Sequence, residues 1–156
     1  MRHCHLLLFF VLVLECNGAK SPKDRLAFAE VIVPIMEEKC HSCHSEAKDK
    51  GKGGLWMDTF ENMLIGGDSQ DGEEFRTLVP GNSQSSYMIE VIALPKDDDM
   101  HMPPPKKKQM ESHEIKLMTW WVDKLPEGKT LKDQTLAQMG APEEILAAAA
   151  LLKSPE

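Results

Sequence analysis

Cys40-His41-Ser42-Cys43-His44 places two thiols and two imidazoles within five residues. The pattern is C-x-x-C-H, the attachment signature of a c-type haem. Two thiols three positions apart can each add across one vinyl group of a haem. The adjacent His44 then reaches the iron from the same side. A covalent link of this kind holds a cofactor even when the protein around it is small. C-x-x-C alone is shared with redox dithiols and zinc knuckles. The histidine directly after it favours haem, with dithiol and zinc chemistry as the alternatives.

An iron held by His44 has a second axial position. The sequence offers Met57, Met63, Met88, Met100, Met102, Met110, Met118, Met139, His101 and His113 for it. Met102 stands out. It lies 58 residues after His44 and directly before Pro103-Pro104-Pro105. A thioether is a weak ligand and needs a stiff backbone behind it, which the prolines supply. A methionine elsewhere usually fills core space. Met100 and His101 are the next candidates. His/Met ligation raises the reduction potential and fills both axial sites, which suits outer-sphere electron transfer. The expected site is therefore Cys40 and Cys43 as attachment points, with His44 and Met102 as metal ligands. No catalytic residue is assigned. His41 reads as solvent-facing and His113 as a surface residue.

The chain has 156 residues and a formal net charge of -7, enough for one domain. Met1 to Ala19 reads as a secretory signal. Arg2 supplies the positive start, and Leu6 to Leu14 is an apolar run of nine, too short to span a bilayer. Cys16, Gly18 and Ala19 suggest cleavage near Gly18 or Ala19. Lipidation at Cys16 and a buried N-terminal helix are the alternatives. Cleavage removes Cys4 and Cys16, leaving only the C-x-x-C-H pair. An exported chain whose remaining cysteines both lie in that motif reads as reserving them for a cofactor. With no second motif, one haem is expected. Arg2 and Glu15 cancel, so the mature charge is unchanged. Nothing here is a nucleic-acid footprint. An acidic surface suits a redox partner with a basic docking patch, a steering effect that salt would screen. Membrane association is not expected once the signal is removed. The expected location is the periplasm or outside the cell.

The elements that must position these residues read as all-α. Leu26–Val33 reads as an extended or loosely helical lead-in, with a short helix from Pro34 into Cys40. Ile35 and Met36 fall on its cofactor side. Ala47 to Gly54 is a Lys/Gly-rich loop. Asp58 and Glu61 resemble a capping box for a helix ending at Gly66-Gly67. Asp68 to Glu74 is polar loop, and Val79-Pro80-Gly81 a turn. Ser83 or Ser85 can cap a helix through Tyr87, Met88, Val91 and Ile92. Glu111/Ser112 open another helix that buries Ile115, Met118, Trp121, Val122 and Leu125 and stops at Pro126. Pro142 can open a C-terminal helix running to Lys153, with Glu143 and Glu144 at its positive end. It reads as an appendage outside the haem core that docks on the domain or on a partner. The division is a signal at 1–19, a haem domain at 26–126 and a helical tail at 127–156.

In order along the chain, several short motifs follow one pattern. Val33-Pro34-Ile35-Met36 precedes the C-x-x-C-H run, and Gly53-Gly54-Leu55-Trp56-Met57-Asp58 follows it. Gly66-Gly67-Asp68-Ser69, Val79-Pro80-Gly81 and Leu94-Pro95 come next. His101-Met102-Pro103-Pro104, Glu114-Ile115 and Trp121-Val122-Asp123 complete the series. From about Phe28 to Leu125 the chain resembles the planctomycete-type cytochrome c domain, a relative of class I monohaem cytochromes. The resemblance implies a small helical fold wrapped round one covalent haem. It also implies thioethers at Cys40 and Cys43, axial ligands His44 and Met102, and Trp121 packing the last core helix against the first. Glu111 stands where a Ser or Thr cap is usual, which weakens that helix start. Family members often carry this domain at the front of a much larger protein, whose functions do not transfer.

The reading is an exported monohaem cytochrome c that carries single electrons and is not an enzyme. Ile35, Met36, Leu55, Tyr87, Ile92 and Trp121 are expected to line its apolar pocket. A haem-binding sensor or interaction module is the first rival, and a thiol-disulfide redox protein the second.

Overall fold

The computed structural model describes residues 20–68, 76–126 and 134–153. The signal reading of residues 1–19, the polar loop beyond Asp68 and the first residues of the tail, 127–133, lie outside the described residues.

The approach to Cys40 is more regular than its proline suggested. Ala27–Ile32 is a π-helical stretch that runs straight into α1, Val33–Lys39. The Val33 N–H reaches back five residues to the Phe28 carbonyl. Pro34 stands in the first turn of α1, where a missing N–H leaves no gap in the α ladder. The lead-in buries Ala27, Phe28, Val31 and Ile32, so tertiary burial outweighs the local restraint.

After the C-x-x-C-H turn the chain makes a small antiparallel ladder. β1 (His44–Ser45) pairs with β2 (Lys50–Gly51), His44 opposite Gly51 and Ser45 opposite Lys50. Lys50–Gly51 is the part of the loop expected at Ala47–Gly54 that pairs in this ladder. α2 covers Phe60–Ile65, and its cap is Thr59, not Asp58. Thr59 Oγ1 accepts the Asn62 N–H at 3.1 Å. Asp58 is held elsewhere: it accepts the Ser45 hydroxyl and the Glu46 N–H, both at 2.6 Å. Gly66 ends α2 at φ 75°, a conformation that favours glycine.

Val79-Pro80-Gly81 is a turn, closed by the Asn82 N–H on the Val79 carbonyl. A 3-10 turn at Ser83–Ser85 leads into α3, Tyr87–Ala93, and is capped by Asn82, whose Oδ1 accepts the Ser85 N–H. The buried Ser86 joins the pieces. Its hydroxyl accepts the Val79 N–H and donates to the Asn82 carbonyl.

α4 covers Ser112–Lys124 and begins well capped. Glu111 and Glu114 form a reciprocal capping box, with the Glu111 N–H donating to Glu114 Oε2 at 2.8 Å. The weak start expected of Glu111 is therefore corrected: a carboxylate accepts from the orphan N–H groups as a hydroxyl would. Trp121, fully buried, stacks on Phe28 at 5.5 Å and meets Phe60 edge-on at 6.2 Å. It thereby joins α4 to the lead-in of α1 and to α2.

α5, Glu143–Ala150, ends before Lys153. It packs on this core through Ile145, Ala148 and Ala149. The approach to it pairs with the N-terminal segment. The Ala27 N–H donates to the Gln134 carbonyl and the Leu136 N–H to the Arg25 carbonyl. The Arg25 guanidinium donates to the Ala149 carbonyl at 2.9 Å. The choice between docking on the domain and docking on a partner, open in the sequence, is made toward the domain. Among the described residues no helix is long and apolar enough to cross a membrane.

Candidate functional site

Cys40 caps α1, and the chain then turns on itself. The N–H groups of Cys43 and His44 both donate to the Cys40 carbonyl at 3.0 Å. This single turn carries both thiols and the His44 ring. Cys40 and Cys43 are free and half-buried. Burial, and then the Glu114 carboxylate, push the Cys40 thiol up to about 12, so it is neutral at pH 7.

The His44 ring is oriented by a carbonyl 11 residues on. Its Nδ1 lies 3.4 Å from the Leu55 oxygen, which can only accept, so Nδ1 carries the proton. In the neutral ring the lone pair is then on Nε2. Burial holds the His44 pKa below its ordinary 6.5, while the Leu55 and Lys52 backbone pulls the other way. A neutral imidazole fixed by a backbone carbonyl is the arrangement a metal ligand needs.

His41 is buried, not solvent-facing. Its Nε2 lies 3.2 Å from the Met57 carbonyl. The two histidines of the motif thus reach two carbonyls of one segment, Leu55 and Met57, and hold it across the turn. Nothing in the local pattern signals this, because the partners come from the loop that follows.

Met102 lies on a different segment. Its N–H donates to the Val91 carbonyl of α3 at 2.9 Å, and its side chain is half-buried against the core. The rivals beside it differ. Met100 is 52 % exposed. His101 is buried, with Nδ1 2.8 Å from the Leu94 carbonyl and Nε2 2.8 Å from Gln109 Oε1. Both its ring nitrogens are engaged. His113 is half-buried, 3.7 Å from Glu111.

Residues that sequence reasoning passed over tie the two halves together. Lys39, immediately before Cys40, is almost fully buried. Its Nζ donates to the Gln109 carbonyl at 2.9 Å and pairs with Glu114 at 3.0 Å. The Gln109 amide donates to the carbonyls of Pro103, Pro104 and Lys107. Lys108 pairs with Glu38 of α1. The segment carrying Met102 is thereby fastened to the helix that carries Cys40.

The model of the planctomycete cytochrome C family matches residues 40–106. The resemblance read from the motifs therefore holds over a stretch that opens at Cys40 and extends past Met102. No curated protein and no solved structure matches the chain. The match supports a haem-binding cytochrome segment. α1, α4 and α5 lie outside the matched residues and supply the packing around them. Among the described residues, no three His, Cys, Asp or Glu side chains are grouped to hold a metal ion.

Proposed function

We propose that this chain is an exported monohaem c-type cytochrome that carries single electrons. The observation that carries the reading is the C-x-x-C-H turn with His44 Nδ1 spent on the Leu55 carbonyl. The donor set suits haem c: two half-buried free thiols in one turn, a neutral imidazole and a thioether on a stiff, anchored segment. Cys40 and Cys43 would hold the haem, and His44 and Met102 would bind the iron. When bound, the haem supplies the centre that changes valence. The chain's residues hold both ligands still, so that neither must leave during electron exchange. Ile35, Met36, Ile92 and Trp121 are buried and Leu55 and Tyr87 half-buried; as the pocket lining they would keep water from the site and help set its potential.

The domain lies within residues 26–126, after a signal at 1–19 and before the tail at 127–156. Export to the periplasm or beyond fits a chain whose thiols serve a cofactor. The partner is a redox protein with a basic patch. It would meet the exposed run Asp97-Asp98-Asp99, which lies within five residues of Met102 in the chain. Replacing all three with Asn should erase any preference for cationic over anionic mediators; an unchanged preference would remove the steering role.

A thiol-disulfide enzyme fits less well. The thiolate is the nucleophile in that chemistry and is normally favoured by its surroundings, whereas Cys40 is pushed the opposite way. Absorption spectroscopy of the matured protein tests the reading. Low-spin haem spectra in both oxidation states, with slow carbon monoxide binding to the reduced form, are expected. Rapid, tight carbon monoxide binding would favour a sensor.

A further inference from the structure

Lys39, Glu114, His101 and Gln109 form one continuous polar network, although the sequence scatters them over 76 positions. Three of the four are buried: Lys39 and Glu114 are each 4 % exposed and His101 6 %. Burying a lysine and a glutamate costs several kcal/mol per ion unless both are paired and hydrogen-bonded. Here they are. Lys39 Nζ meets Glu114 Oε2 at 3.0 Å and the Gln109 carbonyl at 2.9 Å. Glu114 Oε2 also takes the Glu111 N–H.

The side-chain contacts of Gln109 all fall within residues 101–107. The Gln109 side chain uses its oxygen for His101 Nε2 at 2.8 Å. Its amide nitrogen lies within donating distance of Pro103 O at 2.9 Å, Pro104 O at 3.0 Å and Lys107 O at 3.1 Å, and its two hydrogens are shared among these carbonyls. Three carbonyls around the nitrogen fix which end of the amide is which. His101 carries the connection on to the Leu94 carbonyl. Prolines at 103, 104 and 105 cannot donate backbone hydrogen bonds. The segment therefore cannot be held by a regular ladder, and Gln109 takes the place of one.

We infer that Gln109, seated on the buried Lys39–Glu114 pair, is a positioning residue for Met102. The inference rests on the haem reading and deepens it. A thioether is a weak ligand, and its lifetime on iron depends on how firmly its backbone is kept in place. Met102 is flanked by His101 and Pro103, and Gln109 contacts both neighbours. Lys39 adjoins Cys40, so the same contacts set the spacing between the two sides of the site. The network acts on Met102 through the backbone and touches no reacting atom.

The test compares the haem-loaded wild-type protein with Gln109→Ala and with Ile145→Ala. The second removes core packing in α5, outside the segment, and serves as a stability control. Far-ultraviolet circular dichroism and denaturant titration establish that each variant is folded and by how much it is weakened. The readout is the rate at which imidazole replaces the sulfur ligand in the ferric protein, followed by loss of the weak sulfur-to-iron band. Gln109→Ala should speed replacement about tenfold or more, since its side chain makes several hydrogen bonds of roughly 1 kcal/mol each. Ile145→Ala should leave the rate within about twofold despite its lower stability. If Gln109→Ala does not fold, Gln109→Glu is measured instead. It keeps the oxygen facing His101 but cannot donate to the three carbonyls, and should also speed replacement. A wild-type rate in a folded Gln109 variant overturns the positioning role while leaving the haem reading intact. Equal acceleration by Ile145→Ala also overturns it, by assigning the effect to general stability. A wild-type protein with no sulfur-to-iron band overturns both.

Discussion

Lys39 donates to the Gln109 carbonyl at 2.9 Å across 70 residues of sequence. One partner precedes Cys40, and the other follows the triproline segment that begins after Met102. That contact, with the Lys39–Glu114 pair behind it, makes the proposed proximal and distal sides of the site parts of one structure. The three prolines of the strap supply no backbone donors, so beyond the Met102 N–H on the Val91 carbonyl the strap depends on side chains to hold it.

Met102, not Met100, should carry the distal role. Met100 is 52 % exposed while Met102 packs against the core. Met102→Ala should abolish the sulfur-to-iron band of the ferric protein, and Met100→Ala should leave it. Loss in Met100→Ala alone would transfer the role. Persistence in both would mean that another methionine supplies the sulfur, and loss in both would mean that each substitution disturbs the ligand segment.

Trp121 should be among the costliest single positions. It is fully buried, stacked on Phe28 and set edge-on to Phe60. Trp121→Ala should cost about 3–5 kcal/mol by denaturant titration. Trp121→Phe should cost less than half of that, since the aromatic contacts remain and the Trp121 indole N–H has no hydrogen-bond partner among the described residues. Equal losses from the two substitutions would show that the stack is not what stabilises the crossing.

Asp58 gives a pH dependence with a definite sign. Burial would raise its pKa, but hydrogen bonds from the Ser45 hydroxyl and the Glu46 N–H outweigh it and hold the carboxyl below its ordinary 3.8. A depressed carboxylate contributes stability that is fully present above 3.8 and lost as pH falls through the lower folded value. Asp58→Asn should therefore be less stable than wild type at pH 7, by about 1 kcal/mol. The gap should close below pH 3.8. A gap that is constant with pH would mean the charge is not involved.

Ile145 tests whether the tail is part of the same folding unit. It is buried in the shared core, so Ile145→Ala should cost about 2–5 kcal/mol. The loss should appear in one cooperative transition that includes the aromatic signal of Trp121. A separate early transition, with the Trp121 signal unmoved, would make the tail an independent appendage.

What the sequence made legible was local. The C-x-x-C-H spacing, the Val79-Pro80-Gly81 turn and the apolar faces of α3 and α4 each depend on residues a few positions apart. What it hid was set by long-range partners. Asp58 and Thr59 are both plausible caps, and Ser45 claims Asp58 from 13 residues away. His41 has the chemistry of a surface residue until Met57 supplies a buried carbonyl. Lys39 would be read as solvated in any pattern, because lysine is rarely buried without a partner, and Glu114 lies on another helix. Gln109 carries no periodic signal at all. Its role depends on three carbonyls that prolines leave without a regular ladder.

The most direct measurement of the central claim is the intact mass of the matured protein after denaturation and acid-acetone extraction. The account predicts the mass of the chain plus one haem, with the colour retained, and loss of that retained haem in the Cys40→Ala, Cys43→Ala double variant. Colour that extracts from the wild-type protein, leaving the mass of the bare chain, would contradict it.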